Sequence, residues 1–289
     1  MRSYLDGKPM DEIAMERLRC FEARALEMHP NGYWLAFSGG KDSCVILDLA
    51  KRSGVKFEAH YNLTTAEAPE IVQFVKTFPD VEIHKAPISM WALIRKKGLP
   101  PRQNMRYCCE VLKERSGSGC MVITGVRWGE SVRRSKRKMA EACFRDKRKF
   151  YLHPIIDWST SAVWEYIRER DLPYCRLYDE GWKRIGCVLC PMSSNIEREK
   201  ARWPRIAAAW ERAIAAAFYI SKPDFVATPE EYIAWWYDRR ASSKRDKTTP
   251  LFGDDMADEP ADTPLFAGGM DAPEPAATPL FPDTVGETT

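Results

Sequence analysis

Tyr33-Trp34-Leu35-Ala36-Phe37-Ser38-Gly39-Gly40-Lys41-Asp42-Ser43 decides the architecture. Five apolar residues in a row, stopped by a glycine pair, predict a short buried strand that ends in a tight turn. Val45, Ile46, Leu47 and Leu49 follow within Ser43–Arg52 and predict a helix. Strand, glycine turn and helix open a βα unit. Outward from it, Phe57–Tyr61, Val81–His84 and Met121–Thr124 read as further strands, with helices over roughly Ala68–Thr77 and Met90–Lys97. Strands alternating with helices predict an α/β fold with a doubly wound parallel sheet.

On the N-terminal side, residues 1–30 carry Ile13, Met15, Leu18, Phe21, Ala25 and Met28 at helical spacing. Residues 31–192 hold the loop-bearing domain. A helix is expected over Ala162–Glu169 behind a Ser159 or Thr160 cap. Residues 193–246 read as a helical C-terminal extension. There Thr228-Pro229-Glu230-Glu231 is a strong start signal, with Thr as N-cap and Pro at the first helical position. Residues 247–289 read as a disordered acidic tail containing Thr-Pro-Leu-Phe at 249–252, 263–266 and 278–281. Single Leu-Phe pairs in such a tail suit a pocket on a protein partner.

The composition excludes some classes. No apolar run approaches bilayer length, and the first twenty residues lack a signal-type apolar stretch, so the expectation is a cytoplasmic protein without a membrane partner. Nine acidic and no basic residues lie between Pro250 and Thr289, which leaves 44 basic against 32 acidic in the remainder. That basic body suits an anionic ligand, and the run Arg127–Lys149 suits either a lid over a nucleotide or a nucleic-acid backbone.

Two constellations carry chemistry. In Ser38-Gly39-Gly40-Lys41-Asp42-Ser43, the glycines keep side chains out of a ligand's way, and the backbone N–H groups converge at a helix start where an oxyanion is favoured. Lys41 adds a full charge, and Ser38 and Ser43 add hydroxyls. The spacing differs from Walker A and from the dinucleotide fingerprint. The second constellation is Cys108-Cys109 with Cys187-Val188-Leu189-Cys190. Four soft thiolates suit a [4Fe–4S] cluster or, alternatively, zinc. Adjacent cysteines reach two irons of one cube more easily than they chelate one tetrahedral ion. Arg106 and Lys113 could place positive charge beside the sulfurs. Cys20, Cys44, Cys120, Cys143 and Cys175 lack ligand spacing and are expected to be buried structural thiols. His60, His84 and His153 are expected to be structural and isolated.

The loop, Arg106-Tyr107-Cys108-Cys109 with Lys113, Thr124-Gly125-Val126-Arg127 with Glu130-Ser131, His153–Trp158, and Leu177–Gly181 with Ile185-Gly186-Cys187 together resemble the phosphoadenosine-phosphosulfate (PAPS) reductase family of the PP-loop ATP pyrophosphatases. The resemblance includes its cluster-bearing branch, which also holds the ATP pyrophosphatases of DNA phosphorothioation. It implies a nucleotide at the carboxyl ends of the strands, held by Ser38, Gly39, Gly40, Lys41, Asp42, Ser43, Thr64, Glu67, Gly125, Arg127 and Arg134. It implies catalytic roles for Lys41, Asp42 and Arg127. At Asn62–Glu67 the sequence departs from the family's Asp/Asn-Thr-Gly pattern. It also lacks the family reductases' C-terminal Glu-Cys-Gly-(Leu/Ile)-His thiol, since no cysteine follows Cys190. The expected chemistry is therefore cleavage of ATP, with Mg²⁺, to AMP and pyrophosphate, activating an acceptor for sulfur transfer. The alternatives are a sulfonucleotide reductase or sulfotransferase with a non-standard thiol, and a nucleotide sensor that recruits a partner.

Overall fold

A computed structural model describes residues 3–4 and 7–238. The Thr-Pro-Leu-Phe repeats and the acidic tail lie outside the described residues.

The chain opens with helix α1 (Met10–Met28), which runs into strand β1 (Tyr33–Ala36). Tyr33 donates its hydroxyl to Leu18 O at 2.6 Å and ties the two together. Helix α2 (Lys41–Ser53), β2 (Phe57–Leu63), α3 (Pro69–Val75), β3 (Val81–Lys85) and α4 (Met90–Lys97) follow in alternation. Next come the single turn α5 (Tyr107–Cys109), a π-helical turn at Glu110–Glu114, and β4 (Met121–Ile123). A hairpin of β5 (Ala140–Ala142) and β6 (Phe150–Leu152) precedes helices α6 (Thr160–Glu169), α7 (Ile196–Arg202), α8 (Pro204–Ser221) and α9 (Pro229–Tyr237).

The six strands form one sheet in the order β3-β2-β1-β4-β6-β5. All neighbours are parallel except β5, which pairs antiparallel with β6 at the edge. The chain winds from β1 out to β3, then crosses back to β4 on the other side of β1. The strand order therefore reverses between β1 and β4. Loops leaving the carboxyl ends of these two strands turn to opposite faces and leave a crevice, the usual ligand position in such sheets.

The expected doubly wound α/β fold is thus present, with the antiparallel hairpin β5–β6 as its addition. Alternation is legible in the buried faces: Tyr33 and Leu35 point into the core, and Ala59 and Tyr61 do so from β2. The N-terminal segment is held by Asp157, which accepts from Arg17 at 2.8 and 2.7 Å and from Tyr4 at 2.7 Å. The helices after residue 193 share the core rather than standing apart. Trp203, Trp210 and Trp236 are buried in it, and their indole N–H groups donate to Glu70, Val188 O and Pro101 O. Among the described residues no helix is long and apolar enough to cross a membrane.

Candidate functional site

The loop after β1 is shaped by two glycines. Gly39 has φ +71°, and a Cβ there would sit 2.9 Å from Val75 and 3.0 Å from Ile71 of α3. Gly125, in the loop after β4, lies so close to Asp42 that a Cβ would stand 3.0 Å from its backbone carbon. These two positions bring the loops of β1 and β4 into contact at the crevice.

Asp42 is the hub. One carboxylate oxygen accepts from Lys41 Nζ at 2.9 Å and the other from Arg127 Nε at 2.7 Å. Arg127 is buried, and its remaining N–H groups reach Trp158 O at 3.1 Å and Thr160 Oγ1 at 3.3 Å. Two cations share one carboxylate, leaving net positive charge at the start of α2, where the helix dipole adds to it. Ser43 Oγ donates to Gly40 O at 2.7 Å, and Ser38 Oγ lies 3.2 Å from it. Arg134 does not reach Asp42. It pairs with Glu130, which in turn accepts from the Arg127 backbone N–H at 2.9 Å. Arg134 therefore braces the Arg127 loop from outside.

Tyr178 lies in the quoted motif Leu177–Gly181, but the sequence reading gave it no role. Its hydroxyl accepts from the Lys41 backbone N–H at 3.1 Å, and its ring lies 5.7 Å from Lys41 Nζ. Burial pushes its pKa well up, so the phenol keeps its proton.

The four cysteines surround one small cavity with Thr64, Met90, Lys113, Pro191 and Trp210. Three supports hold the Cys187–Cys190 turn. Cys187 forms a bridge with Glu67, Trp210 donates to Val188 O at 3.0 Å, and Leu189 N–H donates to the buried Glu199 at 2.5 Å. Leu189 itself sits at φ +56°, a left-handed conformation that this scaffold maintains. Cations face the sulfurs as expected: Arg106 donates to Cys109 Sγ at 3.0 Å and Lys113 to Cys187 Sγ at 3.5 Å. A hydrogen bond from Cys108, with Arg106 nearby, pulls Cys109 down to about 5 against the opposing effect of burial. Burial pushes Cys187 up.

Thr64 and Glu67 belong to this cavity by their contacts. Thr64 Oγ1 donates to Glu67 at 2.5 Å and lies 3.3 Å from Cys187 Sγ, while Glu67 is 3.8 Å from Lys113 Nζ. Nucleotide contact was expected of both. The segment Asn62–Glu67 forms a self-capped turn that borders the cysteine site.

The donor set can be tested against a metal group. Four thiols and two adjoining cations suit an anionic sulfur cluster. Arg106 Nε is buried without a partner, as expected if an acceptor belongs beside it. No three of the four sulfurs lie within 4.8 Å of one another. A single tetrahedral zinc with bonds of about 2.3 Å would hold them about 3.8 Å apart. The donor chemistry suits a sulfur-ligated group, whether a cluster or a zinc ion. The cavity measures ≈ 20 Å³, so the two cysteine-bearing turns must part to admit one.

Other expectations fare differently. Cys44, Cys120 and Cys175 are buried, but Cys20 is exposed and Cys143 partly so, because both lie on surface segments. The histidines, set apart in the sequence from any ligand spacing, have partners in space. His60 Nδ1 lies 2.8 Å from His84 Nε2 across β2 and β3, and His153 Nδ1 lies 2.7 Å from Thr124 Oγ1. In the basic segment, Arg137 pairs with Glu141, and Arg145 pairs with Glu110 and Glu114. Lys149 donates to the carbonyls of Glu114 and Ser116 at 2.5 Å each. Much of that charge is spent on holding the hairpin in place.

The model of the phosphoadenosine phosphosulfate reductase domain matches residues 32–193. An uncharacterized protein of Methanocaldococcus jannaschii is 30% identical over 199 residues, covering 62% of this chain and 41% of that protein. The matched region spans less than half of the two Methanocaldococcus relatives, at 41% and 46% of their lengths. An adenosine 5'-phosphosulfate reductase of Oceanobacillus iheyensis is 29% identical over 194 residues, covering 62% of this chain and 80% of that one. The crystal structure of the PAPS reductase from Candida auris aligns with a TM-score of 0.46 at 21% identity, covering 65% of this chain and 97% of that one.

Proposed function

The chain belongs to the phosphoadenosine phosphosulfate reductase domain family, a family of enzymes, and from that premise we propose that it cleaves ATP to AMP and pyrophosphate to activate an acceptor for sulfur transfer. The observation that carries this reading is the Lys41–Asp42–Arg127 group at the strand-order reversal. When ATP's α-phosphate is attacked, negative charge builds on the departing pyrophosphate. Lys41, Arg127, the amides at the start of α2 and the Ser38 and Ser43 hydroxyls line the place where that charge would develop, and the contacts of Lys41 N–H with Tyr178 and of Ser43 Oγ with Gly40 O would be exchanged for it. Asp42 holds both cations in position. The Tyr178 hydroxyl, already accepting from Lys41 N–H, has its own proton to offer a phosphate oxygen. Both Asp42 oxygens are engaged, so the loop has no free carboxylate for a metal. The Mg²⁺ expected from the resemblance would be held by the nucleotide's phosphates and would offset charge on the departing pyrophosphate.

Cys108, Cys109, Cys187 and Cys190 would hold an iron–sulfur cluster, with Arg106 and Lys113 offsetting its charge. When bound, such a cluster supplies soft sulfur and electron chemistry. The chain's own thiols near the loop are poor nucleophiles: burial pushes Cys44 up to about 12 and Cys175 up as well. That supports a chain that activates a substrate rather than attacking one through a thiolate. Nucleic acid is the proposed acceptor class. It is supported by the basic body, by Arg133, Lys136, Lys138 and Lys147 of the hairpin segment, and by the fully exposed Phe144 at the hairpin tip. The Leu-Phe repeats would dock a protein partner.

A second reading, reduction of a sulfonucleotide, is favoured by the names of relatives such as that of Oceanobacillus iheyensis. One experiment separates the two. The anaerobically reconstituted protein is given α-labelled ATP with acceptor nucleic acid, and in parallel adenylyl sulfate with a thiol reductant. AMP and pyrophosphate from the first, abolished by Lys41→Ala, support the proposal. Sulfite from the second with no turnover in the first replaces it with the reductase reading.

A further inference from the structure

Outside both constellations, the sheet gathers a different set of ligands. Trp34 pairs with Glu58 between β1 and β2, and His60 pairs with Glu82 and Asn62 with His84 between β2 and β3. Paired residues share a face of a sheet, and so do residues two apart along a strand. Trp34, Glu58, His60, Glu82 and His84 therefore crowd one face, close to the β3 edge.

We propose that His60 Nδ1, His84 Nε2 and a carboxylate oxygen of Glu82 form a binding site for one divalent transition-metal ion of the zinc, cobalt or nickel class. One ligand atom from each of the three side chains lies within 4.8 Å of the other two, and His84 also turns its Nδ1 to Glu82 Oε1 at 3.7 Å. His60 Nδ1 is 3.4 Å from Glu82 Oε2 and 2.8 Å from His84 Nε2. Ligands about 2.0–2.1 Å from a tetrahedral ion stand about 3.3 Å apart. The carboxylate is already at that spacing. The second imidazole must withdraw by about 0.5 Å, which the partly exposed His84 on an edge strand can do. Two imidazoles and one carboxylate select a borderline ion over Mg²⁺ or Ca²⁺.

The surroundings of His60 point the same way. Its ring stacks on Trp34 with centroids 3.4 Å apart and an interplanar angle of 13°, which fixes its plane. Its Nε2 is buried with no hydrogen-bond partner. Glu58 Oε2 is 3.9 Å from that nitrogen, while Glu58 Oε1 accepts from Asn31. With the proton on Nε2 facing Glu58, Nδ1 presents a lone pair to the ion. A closer approach of Glu58 to that nitrogen would complete the carboxylate–histidine–metal arrangement that orients such ligands.

Cobalt titration of the full chain tests the site, because Co²⁺ reports its ligands by colour. The expected result is one equivalent with visible ligand-field bands and no thiolate charge-transfer band. It should persist in Cys108→Ser, vanish in His84→Gln, weaken ~tenfold or more in Glu82→Gln, and be displaced by Zn²⁺. Both substituted side chains are at least partly exposed, and circular dichroism checks that the variants fold. Unchanged binding in His84→Gln and Glu82→Gln overturns the proposal. So does finding that all bound cobalt carries thiolate charge transfer.

Discussion

Replacing Gly125 with alanine puts one methyl group where Asp42 already is. The new Cβ would lie 3.0 Å from both the backbone carbon and the Cβ of Asp42, and 3.1 Å from its carbonyl oxygen. Ordinary contact begins near 3.4 Å, so the two loops must part by about 0.4 Å, against backbone that cannot rotate away. Overpacking of this kind costs ~1–3 kcal/mol. The Arg127–Asp42 contact at 2.7 Å, two residues along, is then stretched. A displacement of about 1 Å can cost a hundredfold in rate, so one of about 0.4 Å predicts roughly a tenfold loss. The assays are urea denaturation and pyrophosphate release. Gly129→Ala is the control, since a Cβ there meets nothing within 4 Å. The reasoning is refuted if Gly125→Ala matches that control in both stability and turnover.

Tyr178→Phe leaves the Lys41 N–H without its acceptor, a cost of ~1 kcal/mol. Calorimetric ATP titration should show ~fivefold weaker binding with the fold intact. Glu199→Gln replaces the buried carboxylate that receives Leu189 N–H and Ser193 Oγ. The protein should fold, yet lose iron faster to a chelator, as followed by visible absorbance. Asp157 is held below the ordinary aspartate range: burial opposes ionisation, but Arg17 and Tyr4 outweigh it. A depressed carboxylate contributes stability above its ordinary value of 3.8 and loses it as pH falls through the lower folded value. Asp157→Asn should therefore cost about 2 kcal/mol near neutral pH and flatten the acid limb of a stability–pH curve.

What the sequence disclosed follows from distance along the chain. The run Tyr33–Ser43 announced β1, its turn and α2 because apolar clustering, glycine and helix periodicity act within a few residues. The cysteine quartet was legible because adjacent and x-x spacing speak for themselves, and Arg106 and Lys113 stand within a helical turn or so of Cys109. The strands Phe150–Leu152 and Ala140–Ala142 were missed. Each is three residues long and embedded in basic sequence, and only pairing makes them strands. The Ala-rich helix Pro204–Ser221 fell within the expected helical extension but was not delimited, and its gift of Trp210 to the cysteine cavity was not foreseen. Tyr178 meets Lys41 across 137 positions and His60 meets His84 across 24. Contacts of that kind depend on sheet register, which no local pattern encodes. Thr64 and Glu67 were expected at the nucleotide by position after β2; their hydrogen bond to each other, and that of Thr64 to Cys187, could not be read from the sequence.

The central claim is that the loop directs attack to the α-phosphate, and two ATP analogues test it most directly. With acceptor present, the β,γ-methylene analogue should still yield AMP, because its α–β bridge is an ordinary oxygen. The α,β-methylene analogue should bind, compete with ATP and remain intact. Phosphorus NMR reads both outcomes. Cleavage of the α,β-methylene analogue to release orthophosphate, with the β,γ-methylene analogue inert, would contradict the account.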